Sequence, residues 1–75
     1  MMRTSDEAFK RMLVEQEELE NRIDKLEAFI KKCRQNKVKN ITLDDIHLLE
    51  EQLKYMRGYN AVLQCRIGRM ERVDE

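Results

Sequence analysis

Residues 42–70 read TLDDIHLLEEQLKYMRGYNAVLQCRIGRM, and the spacing of their apolar side chains decides the fold. Ile46, Leu49, Leu53, Met56, Asn60, Leu63, Ile67 and Met70 recur in alternating steps of three and four. That is the seam of a helix packed along one neighbour. A second stripe, Leu48, Gln52, Tyr55, Tyr59, Val62 and Arg66, repeats the same steps to one side of the first. One seam needs one partner helix, and two seams need more than a chain of 75 residues easily supplies alone. The expected fold is therefore all-α: two long antiparallel helices, a helical hairpin, assembling with copies of itself into a homo-oligomeric helical bundle.

Upstream of this stretch the chain carries a matching helix. Met12, Gln16, Leu19, Ile23, Leu26, Ile30 and Cys33 form its seam, so helix 1 is expected over about residues 5–34. Thr4 and Glu7 have the spacing of a capping box at its start, and residues 1–3 are expected to fray. Periodicity stops over residues 35–41, where Gln35, Asn36 and Asn40 tolerate turn conformations. Helix 2 then runs over about residues 42–70. Thr42 is its N-cap, Asp44 and Asp45 sit at the positive end of its dipole, and Ile41 and Ile46 are spaced as a hydrophobic staple. The tail Glu71–Glu75 is expected to fray. Closing the loop sets Cys33 opposite Ile46, and then Ile30 meets Leu49, Leu26 meets Leu53, Ile23 meets Met56 and Leu19 meets Asn60. Gln16 falls one layer from Asn60. The two amides either hydrogen-bond each other and fix the register, or point to solvent where the hairpin splays.

Composition narrows the function. A single domain of this length buries too little surface to be comfortable without a staple or a partner. Cys33 and Cys65 have no CxxC spacing and no nearby histidine pair, which points to reduced thiols and no metal. His47 stands alone, an ordinary surface residue. Fifteen basic and fifteen acidic residues cancel, which argues against a duplex nucleic-acid binder. No apolar run is long enough for a membrane span, and the N-terminus has no signal-peptide core. There is no nucleophile–base pair, glycine-rich phosphate loop or pair of catalytic acids, so no enzyme is expected and no cofactor is called for.

In heptad terms the two sides of the hairpin differ. The e side holds Glu20, Glu27, Arg34, Glu50, Arg57 and Gln64 and is expected to be solvated. The g side gathers Glu18, Arg22, Lys25 and Phe29 from helix 1 with Leu48, Gln52, Tyr55, Tyr59, Val62 and Arg66 from helix 2. Phe29, Leu48, Tyr55, Tyr59 and Val62 suit an oligomer interface. The same flank also suits an anion pocket shared between subunits. Arg22, Lys25 and Arg66 would contact phosphate, Tyr55 or Tyr59 would stack on a base, and Gln52 would read a base edge. The basic tip Lys31, Lys32, Arg34, Lys37 and Lys39 is what a solvated helix C-terminus favours, and it would also suit a phosphate.

The runs EELENRIDKLEAFI (17–30) and LLEEQLKYMRGYNAVLQCRI (48–67) resemble small helical-hairpin proteins of crAss-like and other tailed phages. The likeness lies in Glu18-Leu19, Arg22-Ile23, Lys25-Leu26 and Phe29-Ile30 of helix 1. In helix 2 it lies in Leu48-Leu49, Gln52-Leu53, Met56, Tyr59, Leu63 and Arg66-Ile67. The longer lysine-rich connection departs from that family's short turn. More distantly, the chain is similar in size and architecture to phage sponges that sequester the cyclic nucleotide signals of the CBASS and Thoeris defences. No ligand residue of those sponges is placed on this chain. The resemblance implies a phage accessory protein in the bacterial host cytoplasm. It would be non-enzymatic and would sequester an anionic nucleotide-type signal, a cyclic oligonucleotide or an ADP-ribose-like molecule. The alternative is a protein-interaction or scaffold module that engages a host protein and binds no small molecule.

Overall fold

The structure is a computed structural model that describes residues 4–73, with side chains described for residues 7–70. Two helices, α1 (Thr4–Arg34) and α2 (Leu43–Val73), pack side by side as an antiparallel hairpin with extents of 55 × 15 × 14 Å. No strand occurs among the described residues. The expected boundaries hold for α1 to within one residue. The expected capping box there rests on the Thr4 side chain, which lies outside the described side chains. The expected fraying of residues 1–3 likewise lies outside the described residues.

Helix α2 starts as expected and departs from expectation only at its far end. Thr42 stands outside the helix as its N-cap, and Leu43 is the first helical residue. The far end continues through Val73, past the Met70 boundary. The physical reason is that Glu71 and Arg72 are good helix formers and no glycine or proline interrupts them. At the near end the cap is reciprocal. The Thr42 hydroxyl accepts from the Asp45 backbone N–H at 3.1 Å, and the Asp45 carboxylate accepts from the Thr42 backbone N–H at 3.0 Å. Those bonds, the backbone one first, hold the Asp45 carboxyl below its usual range. This contribution is present at neutral pH and is lost as acid protonates the carboxylate. Ile41 packs on the core beside buried Ile46, which completes the staple.

The connection is set by two asparagines. Asn36 and Asn40 have φ of 59° and 62°, the left-handed region that asparagine tolerates better than most residues. Asn36 ends α1 in a Schellman motif: the Lys37 N–H donates to the Lys32 carbonyl at 3.0 Å, and the Asn36 N–H to the Cys33 carbonyl at 3.1 Å. Replacing Asn36 with alanine should therefore destabilise the hairpin by about 1 kcal/mol, and Asn36→Gly should not. Urea melts of the two variants check this, and equal midpoints would show that the left-handed turn costs nothing.

The core follows the seam. Met12, Leu19, Ile23, Ile30 and Cys33 of α1 and Ile46, Leu53, Leu63 and Ile67 of α2 are buried. Phe9, Leu26, Leu49, Met56 and Met70 pack along its margins, and Val38 and Ile41 close the loop end. Register is readable on the e side. Arg34 donates from Nε and Nη2 to Glu50 Oε2 at 2.9 and 2.6 Å. Arg57 pairs with Glu27, and Gln64 Nε2 donates to Glu20 Oε2 at 3.4 Å. Each pair lies one heptad further along one helix and one heptad back along the other. That spacing agrees with Cys33 opposite Ile46 and Leu19 opposite Asn60. The e side is exposed, as expected, and it is also bridged. Such half-exposed pairs each add roughly 0–1 kcal/mol, so they select the register more than they hold the fold.

Of the two arrangements open to Gln16 and Asn60, the mutual hydrogen bond is not made. Asn60 Oδ1 is buried without a partner. In this register Gln16 faces Leu63 and Asn60 faces Leu19, so each amide lies across from a leucine in adjacent layers. Gln16 is only half-buried.

Candidate functional site

The g flank is the part of the hairpin that its own fold leaves uncovered. Tyr55 is 69% exposed and Tyr59 46%, and Leu48, Val62 and Phe29 are also exposed. Arg22, Lys25, Gln52 and Arg66 are exposed on the same side. All the flank residues read from the sequence thus stay available to a partner. Helix α2 positions six of them in one stripe because its seam residues face α1 and rotate positions c and g outward.

One contact on this flank was missed from the sequence. The Tyr59 hydroxyl donates to Glu15 Oε2 at 2.5 Å, across the two helices. Glu15 stands one heptad before Arg22, so the signal was present: it is the next g position. The bond has two consequences. It fixes the Tyr59 ring over the groove between the helices. It also adds a carboxylate to the end of the flank that carries Arg66, whose charge acts on the same Tyr59 hydroxyl. That end of the flank thus carries both signs of charge. Moving one heptad along, the register sets Arg22 opposite Gln52, with Lys25 and Tyr55 next to them. The cationic part of the flank is this middle section.

The Tyr59 hydroxyl is raised above the ordinary tyrosine range. Its hydrogen bond to Glu15 is the main cause, with desolvation and the Glu15 charge adding to it and Arg66 opposing. The sign follows: the bond's contribution is complete below the unfolded tyrosine's range and is lost as pH rises through the folded value. In a Tyr55→Phe variant the remaining tyrosine should ionise at higher pH than free tyrosine, read by phenolate absorbance. Adding Glu15→Gln should bring that transition down. An unmoved transition would break the link between the two side chains.

The e side offers a different surface. A groove of about 370 Å³ is lined by Glu20, Ile23, Asp24, Glu27, Arg57 and Asn60. Three carboxylates make it a poor home for an anion. Nearer the loop, a second groove includes Lys31, Arg34 and Arg57, but Arg34 and Arg57 are already paired with Glu50 and Glu27. Leu13, Val14 and Leu43 are further exposed apolar side chains that the sequence reading left out. Cys33 is buried in the seam and Cys65 exposed, and both are free thiols. Among the described residues no cluster of three or more His, Cys, Asp or Glu is placed to hold a metal ion. No described helix is long and apolar enough to cross a membrane.

A hairpin with an aromatic and cationic flank on one rod is the geometry to set beside known families. A family model described as Sequestin matches residues 6–69, which is most of the chain and most of both helices. The chain belongs to the Sequestin family. No match was found among curated proteins or among solved structures. The Sequestin match spans the flank residues Arg22, Lys25, Gln52, Tyr55, Tyr59 and Arg66. The family's name speaks of sequestering, which is compatible with a binding role and agrees at that coarse level with the resemblance to sponges.

Proposed function

We propose that this Sequestin chain is a non-enzymatic capture protein of phage origin. It acts as a homo-oligomer that sequesters an anionic nucleotide-type signal, a cyclic oligonucleotide or an ADP-ribose-like molecule, and so counters host defence. The observation that carries the reading is the exposed g flank, where Arg22, Lys25 and Gln52 lie beside Tyr55 within the matched family region. A plain interface would be expected to be more aliphatic. In this reading Arg22 and Lys25 meet phosphate, Gln52 meets a base edge and Tyr55 stacks on a base. Tyr59, tied to Glu15, contributes its ring face, and Arg66 supports the flank from its more neutral end. A flank this open encloses a ligand only when a second subunit closes over it, which suits the general placement of such sites between helices or subunits.

Calorimetry against cyclic di- and trinucleotides and cyclic ADP-ribose isomers tests the proposal. Binding should appear, and Arg22→Ala should weaken it at least tenfold while the helical signal is kept. No heat at high micromolar ligand would remove it. The second reading is a scaffold or host-protein inhibitor with no small-molecule ligand. It is favoured by the exposed apolar side chains Leu48, Tyr55 and Val62. Capture of a defined host protein that Tyr55→Asp abolishes would support it.

A further inference from the structure

The outward stripe of α2 reads, from one end to the other, Asp45, Leu48, Gln52, Tyr55, Tyr59, Val62, Arg66 and Arg69, all exposed except half-buried Asp45, whose Oδ2 accepts from Thr42 and whose Oδ1 is left for a partner. It is acidic where it starts, apolar and aromatic in the middle, and basic where it ends. Its steps alternate three and four throughout, about 36 Å of seam at 1.5 Å per residue. We infer that its occupant is the same stripe of a second copy, running antiparallel about a two-fold axis at the level of Arg57. The inference rests on the assembly part of the proposed function and supplies its partner, direction and register.

Three observations carry it. The first is charge. An antiparallel copy sets Asp45 against the second copy's Arg69 at both ends of the contact. A parallel copy would set aspartate on aspartate and arginine on arginine, which repel. The second is self-complementarity. With the axis at Arg57, Tyr55 faces Tyr59, Gln52 faces Val62 and Leu48 faces the stem of Arg66, and every layer is made twice, as a two-fold contact demands. The third is the weakness of the competing face. The corresponding outward stripe of α1 is Arg11, Glu15, Glu18, Arg22, Lys25, Phe29 and Lys32, with Phe29 its apolar member and exposed Val14 beside Glu15 and Glu18. It has little apolar area to offer α2. Helix α2 against α2 buries both tyrosines, Leu48 and Val62 from each side. Gln52 and Tyr55 then face the second copy rather than a ligand, so in the paired form the ligand contacts of the proposed function rest on the α1 cations Arg22 and Lys25 at the rim.

Cysteine pairs test this in a Cys65→Ser background, with Cys33 left in the core. The chain carrying both Gln52→Cys and Val62→Cys should oxidise to a covalent dimer of twice the 9.1 kDa chain mass. Either substitution alone should not. Both sites are exposed in the hairpin, so the helical signal should be unchanged. Arg69→Glu should raise the dimer dissociation constant at least tenfold by setting acid against Asp45. A covalent dimer from Gln52→Cys alone would show a parallel contact and overturn the inference. A multi-chain mass by light scattering without the double-variant cross-link would overturn this register while leaving assembly standing. A single-chain mass at high concentration would end both. Ligand binding is measured separately on the unmodified chain, so a failed cross-link with intact binding rejects the contact and not the capture function.

Discussion

Leu63→Ala should cost about 2–5 kcal/mol, the usual range for removing a buried leucine from a packed core. Among the described residues Leu63 is the most completely enclosed side chain, with 0% of its surface exposed. A chain of 75 residues holds on the order of 4–11 kcal/mol in total. The variant is thus expected to lose a large share of its stability and to populate unfolded chains at ordinary temperature. Two helices in contact have no second layer to collapse into the gap, so the cost belongs in the upper part of that range. Leu48→Ala is the matched control. Leu48 belongs to the outer stripe and is exposed, so its loss should leave the single hairpin nearly unchanged and weaken association instead. Urea melts at low and high protein concentration separate the two. A Leu63 variant within about 1 kcal/mol of the parent would mean that the inner seam has been assigned to the wrong residues.

That contrast between Leu63 and Leu48 also shows how far the sequence could be read. Both are leucines in one helix, and only the three-four spacing tells them apart. Ile46, Leu53, Leu63 and Ile67 were legible as core because each step returns to the same face. The N-cap was legible because Thr42 precedes two aspartates and a staple residue. The far end of α2 was less so, since nothing in Glu71 or Arg72 stops a helix and fraying leaves no chemical mark. Side-chain partners across the helices were legible only in principle. Glu20, Glu27, Arg34, Glu50, Arg57 and Gln64 were all placed on the e side. Their pairing into Arg34–Glu50, Arg57–Glu27 and Gln64–Glu20 needs the register as well as the face. Glu15 shows the same limit on the other flank: its heptad position follows from Arg22, but its bond to Tyr59 depends on which rotamers reach across. The candidate site itself was legible as a set of exposed residues on one face. How a ligand would be enclosed was not, because the candidate residues lie exposed along one rod and enclosing a ligand there would require another copy.

Asn60→Leu should make the hairpin more stable, by about 1–3 kcal/mol. The buried Asn60 Oδ1 has no hydrogen-bond partner, and an acceptor left unmade in a protein interior carries most of its desolvation cost. Replacing it with leucine removes that cost and adds apolar contact with Leu19 across the layer. Overpacking is not expected to cancel the gain, because Asn60 borders the groove with Ile23 and Arg57, which gives a longer side chain somewhere to go. The urea midpoint should rise with no change in slope, since the surface exposed on unfolding hardly alters. An unchanged or lower midpoint would mean that Asn60 is satisfied by water in the groove and that its polarity is useful to the fold. The same variant separates specificity from stability. A lone polar seam residue can hold helices in one register at a cost in stability. Here the e-side pairs and the short loop already fix that register, so Asn60→Leu should still oxidise through Gln52→Cys and Val62→Cys in the same pattern. If the substitution stabilises the chain but scrambles those cross-links, Asn60 is what keeps the inner seam in step, and the outer stripe takes its alignment from it.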